Sequence, residues 1–143
     1  MARPDPAQLD PARYPFSCPI EPRFSDLDTN QHINNAAMAG IIEEAQVRFH
    51  YASGVAGALA GLTSMVAGLD IAFLAQTYYP HPLIAHTAPV RFGRTSYDLA
   101  ILILQQGNPV VHALITLVLM GAQGPAPLPE DWKEALGPWI IRT

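Results

Sequence analysis

The sequence predicts an α+β domain in which one long helix is set against about five antiparallel strands. Three observations carry this. Residues 34–52, NNAAMAGIIEEAQVRFHYA, place good helix formers behind an asparagine of the kind that caps helices. After Gly54 the chain switches to runs of β-branched, aromatic and leucine residues, with turn signals at Pro80-His81-Pro82, Gly93 and Gly107-Asn108-Pro109. Helix and strands are segregated along the chain instead of alternating, which argues against a parallel α/β sheet.

Taken in order, residues 1–15 read as an irregular lead-in, with prolines at 4, 6, 11 and 15. FSCPIEPRF (16–24) is a strand candidate that Pro19 and Pro22 confine to an edge or break. The polar stretch DLDTNQHINN (26–35) follows, and then the helix. Ile33, Ala37, Ile41, Ala45 and Arg48 fall near one helix face, while AAMAGII is apolar nearly all round, which predicts burial on most sides. The strand candidates are 64–79, 82–93, 95–106 and 108–121, the last two closing a hairpin at QQGNP. LAILIL (99–104) is continuously apolar and has to be covered on both faces, by a second layer or by another copy of the protein. Residues 121–143 read as an exit loop and a short helix, DWKEAL. No internal repeat interrupts this order, so residues 1–143 form one domain.

Composition narrows the function. The chain has 143 residues, half of them hydrophobic and 14% charged, enough apolar material for a core and too few charges for disorder. The net charge is -4 and Lys133 is the single lysine, so a nucleic-acid partner is not expected. One cysteine, Cys18, cannot form an internal disulfide, and no secretory leader opens the sequence, so a cytoplasmic location is expected. Residues 49–69 carry no Asp, Glu, Lys or Arg before the acid at 70, but Gly, Ser, Thr and His interrupt them, and they read as a helix end, a loop and a strand instead of a membrane span.

The polar stretch holds the chemistry. Asp26, Asp28 and Asn30 have the spacing of a calcium loop, but Gln31 and Ala37 stand where the EF-hand needs glycine and a bidentate glutamate. No HxH, HxxxH or HExxH spacing accompanies His32, His50, His81, His86 or His112, so no metal is expected. GxSxG and phosphate-loop patterns are absent. A carboxylate just ahead of a buried helix is different. The free N–H groups of the first turn hold a developing oxyanion, while a carboxylate, ionised at neutral pH, attacks a carbonyl or activates water. That pairing suits acyl transfer from a thioester, whose thiolate leaves without strong acid help.

RFSDLDTNQHINNAAMAGIIEEA (23–45) resembles the signature of hotdog-fold acyl-CoA thioesterases of the hydroxybenzoyl-CoA thioesterase type, and RFGRTSYDL (91–99) and PLPEDWKEAL (127–136) resemble later stretches of that family. The resemblance implies a single hotdog domain, a long central helix wrapped by a curved antiparallel sheet, acting as a homodimer or a dimer of dimers with its site at the interface. It implies hydrolysis of an acyl-CoA substrate to free acid and CoA, with no metal or organic cofactor. Asp28 matches the catalytic carboxylate, as nucleophile or general base. The backbone N–H of Asn35 matches the oxyanion donor, His32 would contact the thioester carbonyl or orient water, and Asn34 would cap the helix. Arg91 and Arg94 are candidates for the CoA moiety. Asp26 is expected to shape the loop by bonding backbone amides. Glu43 and Glu44 read as helix-surface or interface carboxylates, and His112 as a core or interface histidine.

Three positions depart from the family pattern: Gln31 for glycine, Met38 for tyrosine and Gln46 for arginine. Two rival readings follow. A non-catalytic acyl-CoA or lipid-binding hotdog module would tolerate those replacements. A hotdog enoyl-CoA hydratase would require five steps from acid to histidine with a proline between, whereas Asp28 and His32 are four apart without one.

Overall fold

The computed structural model describes residues 4–58 and 61–143. Residues 1–3 of the lead-in and residues 59–60 of the loop expected within 49–69 lie outside the described residues. The elements run β1 (Phe16–Ile20), α1 (Asn35–Ala52), β2 (Thr63–Phe73), β3 (Leu83–Phe92), β4 (Ser96–Gln105), β5 (Asn108–Gly121), β6 (Gly124–Pro125) and α2 (Glu130–Leu136). The strands pair antiparallel in the order β1-β3-β4-β5-β2, with the two-residue β6 on β5. This is the hotdog architecture: a curved antiparallel sheet around one long helix.

Period-two alternation decides what each face of the sheet meets. Tyr97, Leu99, Ile101 and Ile103 of β4 point into the main core, together with Met38, Ile42, Ala45 and Phe49 of α1. The alternate residues Ala100, Leu102 and Leu104 point the other way and pack with Tyr14 and Ala88, flanked by Leu9 and Ile141. LAILIL is therefore covered on both faces, as its composition demands. The second cover comes from the chain's own two ends. Ile141 N–H donates to Pro89 O at 3.1 Å and Arg142 N–H to Arg13 O at 2.8 Å, tying the tail across the lead-in and the sheet. The lead-in is more ordered than expected. Two short 3-10 turns, Pro6–Leu9 and Pro11–Arg13, are capped by the carboxylates of Asp5 and Asp10.

β1 is an edge strand that stops at Ile20, short of the expected Phe24, because Glu21-Pro22 leads into a 3-10 turn over Phe24–Asp26. β2 ends at Phe73 instead of continuing to Tyr79. The amides of Leu74 and Ala75 both reach the single carbonyl of Val110, at 2.9 and 3.3 Å, and the chain leaves the sheet there. The hairpin at QQGNP closes through Gln106 and Gly107, with φ of 51° and 82°, the pair of positive angles a two-residue turn needs.

α1 begins behind the Asn34 cap and ends at Ala52, as expected. Its burial is not as expected. Met38, Ile41, Ile42, Ala45, Gln46, Phe49 and His50 are buried, but Ala36, Gly40 and Val47 are exposed on the other side. β2 is also exposed along most of its length, with Met65, Leu69 and Phe73 each 40–49% accessible. Within one chain the helix therefore leaves open a flank on which Ala36, Gly40 and Val47 are joined by Glu43 and Glu44, beside an apolar sheet edge. No helix among the described residues is long and apolar enough to cross a membrane.

Candidate functional site

The polar stretch folds into a tight loop that closes on itself and then hands the chain to α1. Asp26 is buried and accepts from the Arg23 N–H at 2.8 Å and the Arg23 guanidinium at 3.0 Å. Burial works against its ionised form, but these bonds from Arg23 outweigh it and hold the carboxyl below the usual carboxylate range. Its carbonyl accepts from the Asn34 N–H at 2.8 Å, and Leu27 bridges to Ile33. Asp26 is thus the loop former that the sequence suggests.

Asp28 sits half-buried inside this closure. Its N–H donates to His32 O at 2.9 Å, and its Oδ1 accepts from the amides of Asn30 at 2.8 Å and His32 at 3.1 Å. Oδ2 has no hydrogen-bond partner among the described residues. One oxygen therefore fixes the carboxylate in the turn, and the other is left unengaged. The geometry requires Gln31 to adopt φ of 63°, the left-handed region where glycine is favoured. Gln31 therefore holds a backbone conformation that glycine would adopt without strain.

The loop is stitched to the segment following β2. Ile33 N–H donates to Thr77 O at 3.1 Å, and His32 forms a β-bridge with Tyr78, whose ring meets the imidazole edge-on at 5.3 Å. Asn34 caps the helix, its side-chain oxygen accepting from the Ala36 N–H at 2.7 Å. The N–H of Asn35, the first helical residue, has no partner among the described residues, as expected for the first turn of a helix. Asn35 lines a cavity of about 330 Å³ together with Ile33, Met38, Phe73, Leu74 and Thr77. Met38, in place of the family's tyrosine, contributes an apolar wall there. Asp28 and His32 do not line this cavity within one chain.

Arg91 and Arg94 lie elsewhere. Arg91 forms a two-pronged ion pair with Asp98, at 2.7 and 3.0 Å, and also donates to Ser96 Oγ at 3.1 Å. The bonds to Asp98 raise the Arg91 pKa and lower that of Asp98, which also accepts from Thr116 Oγ1 at 2.8 Å. Asp98 alternates with Tyr97 and Leu99, so this cluster is on the sheet face opposite α1. It is also at the wrong end. Tyr97 contacts His50 near the C-terminus of α1, whereas Gln105 contacts Tyr78 near the polar loop. Those two β4 residues are about 26 Å apart at ~3.3 Å per residue. Within one chain the structure brings Asp28, His32, Asn34 and Asn35 together and leaves both arginines out. His112 is buried, as expected of a core or interface histidine, and its Nε2 has no partner among the described residues; Gln46 is buried as well.

A family model described as thioesterase-like superfamily matches residues 22–136. The chain belongs to that superfamily. A thioesterase from Thermus thermophilus, solved in complex with coenzyme A and zinc, is similar in structure with a TM-score of 0.78 and 25% identity, over 89% of this chain and 95% of that one. The DHNA-CoA thioesterase of Staphylococcus aureus has a TM-score of 0.76 and 20% identity, over 85% of this chain and 88% of its own. A Pseudomonas aeruginosa protein reaches 0.80 with 17% identity, over 91% of this chain and 94% of that one. At 20% and 17% identity these two establish the fold. Comparison with curated proteins finds no match.

The segment 74–79 is the part of the site that sequence reasoning missed. LAQTYY reads as the end of a strand closed by the turn signal at Pro80-His81-Pro82, yet the sheet is left at Phe73 and residues 74–77 form one wall of the cavity and back the polar loop. Nothing in the residues between Phe73 and Pro80 marks that earlier exit.

Proposed function

We propose that this protein is an acyl-CoA thioesterase of the hydroxybenzoyl-CoA thioesterase type, hydrolysing an acyl-CoA to a free carboxylic acid and CoA. The observation that carries the proposal is that one short loop leaves an oxygen of Asp28 unengaged and ends on an unpartnered Asn35 amide at the start of α1. The loop between them is held in register by backbone and side-chain hydrogen bonds. In the proposed reaction the thioester carbonyl oxygen lies against the Asn35 N–H, and the cavity beside Asn35 takes part of the acyl group. Asp28 attacks the carbonyl carbon, or takes a proton from the water that does. The charge that builds on the carbonyl oxygen is held by the amide and the helix dipole. The C–S bond then breaks and the thiolate leaves as CoA. His32, beside Asp28 and against Tyr78, orients the water or the carbonyl.

The unit we propose is a homodimer, or a dimer of two such dimers, formed along β2. Its support is the open edge strand with Met65, Val66, Leu69 and Phe73 exposed, next to the uncovered flank of α1. An unpaired apolar edge is a template for a further strand. Antiparallel pairing of two β2 edges sets the Thr63 end of one copy beside the Phe73 end of the other. The cavity at Phe73 then gains a wall from the second copy. The second copy's equivalent of Arg94, whose neighbour Thr95 bonds Leu119 close to the start of β2, is carried towards the site, where it would meet the CoA moiety. Cys18, half-buried and unbridged, suits a cytoplasmic enzyme.

The test is thiol release from a panel of short, long and aromatic acyl-CoA substrates. We expect turnover of at least one class, and a fall in kcat of about 10²–10⁴-fold in Asp28→Asn with the melting temperature nearly unchanged. Ligand binding without turnover across the whole panel would assign the chain to the non-catalytic module instead.

A further inference from the structure

Gln105, at the last position of β4, is 4% exposed, and its whole amide is spent on one segment of backbone. Its Oε1 accepts from the Tyr78 N–H at 2.9 Å, and its Nε2 donates to Tyr78 O at 2.7 Å and to His81 O at 2.9 Å. These three bonds fasten the segment across the Tyr79–Pro80 cis peptide. No sheet pairing holds it there, because β2 has ended and β3 begins only at Leu83.

That segment is what the polar loop leans on. Tyr78 bridges to His32, and Thr77 O receives the Ile33 amide. His32 in turn closes the turn around Asp28 through two bonds, one to Asp28 Oδ1 and one from the Asp28 amide. The path from the end of β4 to the carboxylate therefore runs through the Gln105 bonds to Tyr78, along the chain to Thr77, across the Ile33 N–H to Thr77 O bond, and along the chain to His32, whose amide meets Asp28 Oδ1.

We infer that Gln105 is a positioning residue for the Asp28 loop, anchoring the 77–81 segment so that Asp28 and the Asn35 amide keep a fixed relation. Glutamine suits the position because it supplies an acceptor and two donors from one planar group at the rim of a core. A leucine of similar size would fill the space and leave three backbone groups unpaired. The anchor itself stands on the hydrogen bonds; its catalytic consequence rests on the thioesterase reading.

The experiment compares wild type with Gln105→Leu and Gln105→Asn, with Glu134→Gln, an exposed position of α2, as a control. Two quantities are read: kcat and KM on an acyl-CoA that the wild type turns over, and amide hydrogen exchange. In Gln105→Leu the Tyr78 and Ile33 amides should exchange faster while protection in β4, β5 and α1 is kept. A displaced carboxylate should lower kcat by about tenfold or more, with KM within about twofold of wild type. Gln105→Asn keeps a neutral amide with an acceptor and donors but is one methylene short of Tyr78 and His81. It should give a smaller kcat loss, and it carries the test if the leucine variant does not fold. Glu134→Gln should match wild type in every quantity. Unchanged exchange at Tyr78 and Ile33 would overturn the anchor. Faster exchange with unchanged kcat would overturn its role in positioning. A wild type with no turnover would instead defeat the thioesterase reading, and the exchange measurement would still decide the anchor.

Discussion

The two ends of α1 each carry a histidine against a tyrosine, and the two pairs differ in almost every physical respect. At the C-terminal end His50 Nε2 and the Tyr97 hydroxyl are 2.6 Å apart, Tyr97 is fully buried, and Trp132 of α2 packs against both rings. At the N-terminal end His32 and Tyr78 touch edge-on, Tyr78 is 48% exposed, and no hydrogen bond joins the side chains. The closed pair is sealed in the core under Trp132, whose own indole Nε1 is buried without a partner among the described residues. The open pair sits beside an unpartnered helical amide, a half-used carboxylate and a cavity. A buried, strongly shifted histidine is here a feature of the core, and the candidate chemistry lies where unspent polar groups are open to a ligand.

That contrast is open to perturbation at each end. The largest effect is expected from Trp132→Ala. Trp132 is 1% exposed and covers the His50–Tyr97 pair, so its removal should cost about 3–5 kcal/mol of unfolding free energy. Denaturant titration measures the cost, and kcat at low temperature, where the variant stays folded, should change little. Next is pH. Burial lowers His50 from 6.5 to about 4, so as pH falls below 6.5 the unfolded chain takes up a proton that the folded chain refuses. Stability should be full above pH 6.5 and lost progressively towards pH 4, by at most about 3 kcal/mol from this residue. His86 and His112, also lowered by burial, act in the same direction. Denaturant midpoints across that range should fall with pH, and His50→Gln should flatten the slope. The smallest effect belongs to the open end. Gln31→Gly should relieve the left-handed backbone and raise stability by no more than about 1 kcal/mol. A loss of stability on that change would show that the glutamine side chain holds the loop by a contact of its own.

Much of this was readable from residue order. The helix bounds, the Asn34 cap, the hairpin at Gly107 and the loop-shaping role of Asp26 all follow from local rules, because the groups that satisfy them are neighbours in sequence. The misses share one cause. LAILIL demanded cover, but that the cover is Tyr14 and Ile141, from opposite ends of the chain, depends on long-range packing that no window of sequence carries. The same holds for Gln105, which resembles any polar residue beside a turn until its amide is seen reaching Tyr78 and His81. Arg91 was attractive as a cation in a family-like stretch, yet its Asp98 partner sits seven residues on and across a hairpin, where register decides the pairing.

The most direct test is a backbone amide NMR titration with a non-hydrolysable thioether analogue of an acyl-CoA. The account predicts that the largest shifts fall at residues 28–35 and 74–78, with the Asn35 amide among them, and that His50, Tyr97 and Trp132 stay where they are. Shifts centred on the His50–Tyr97 end, with the Asn35 amide unmoved, would contradict it.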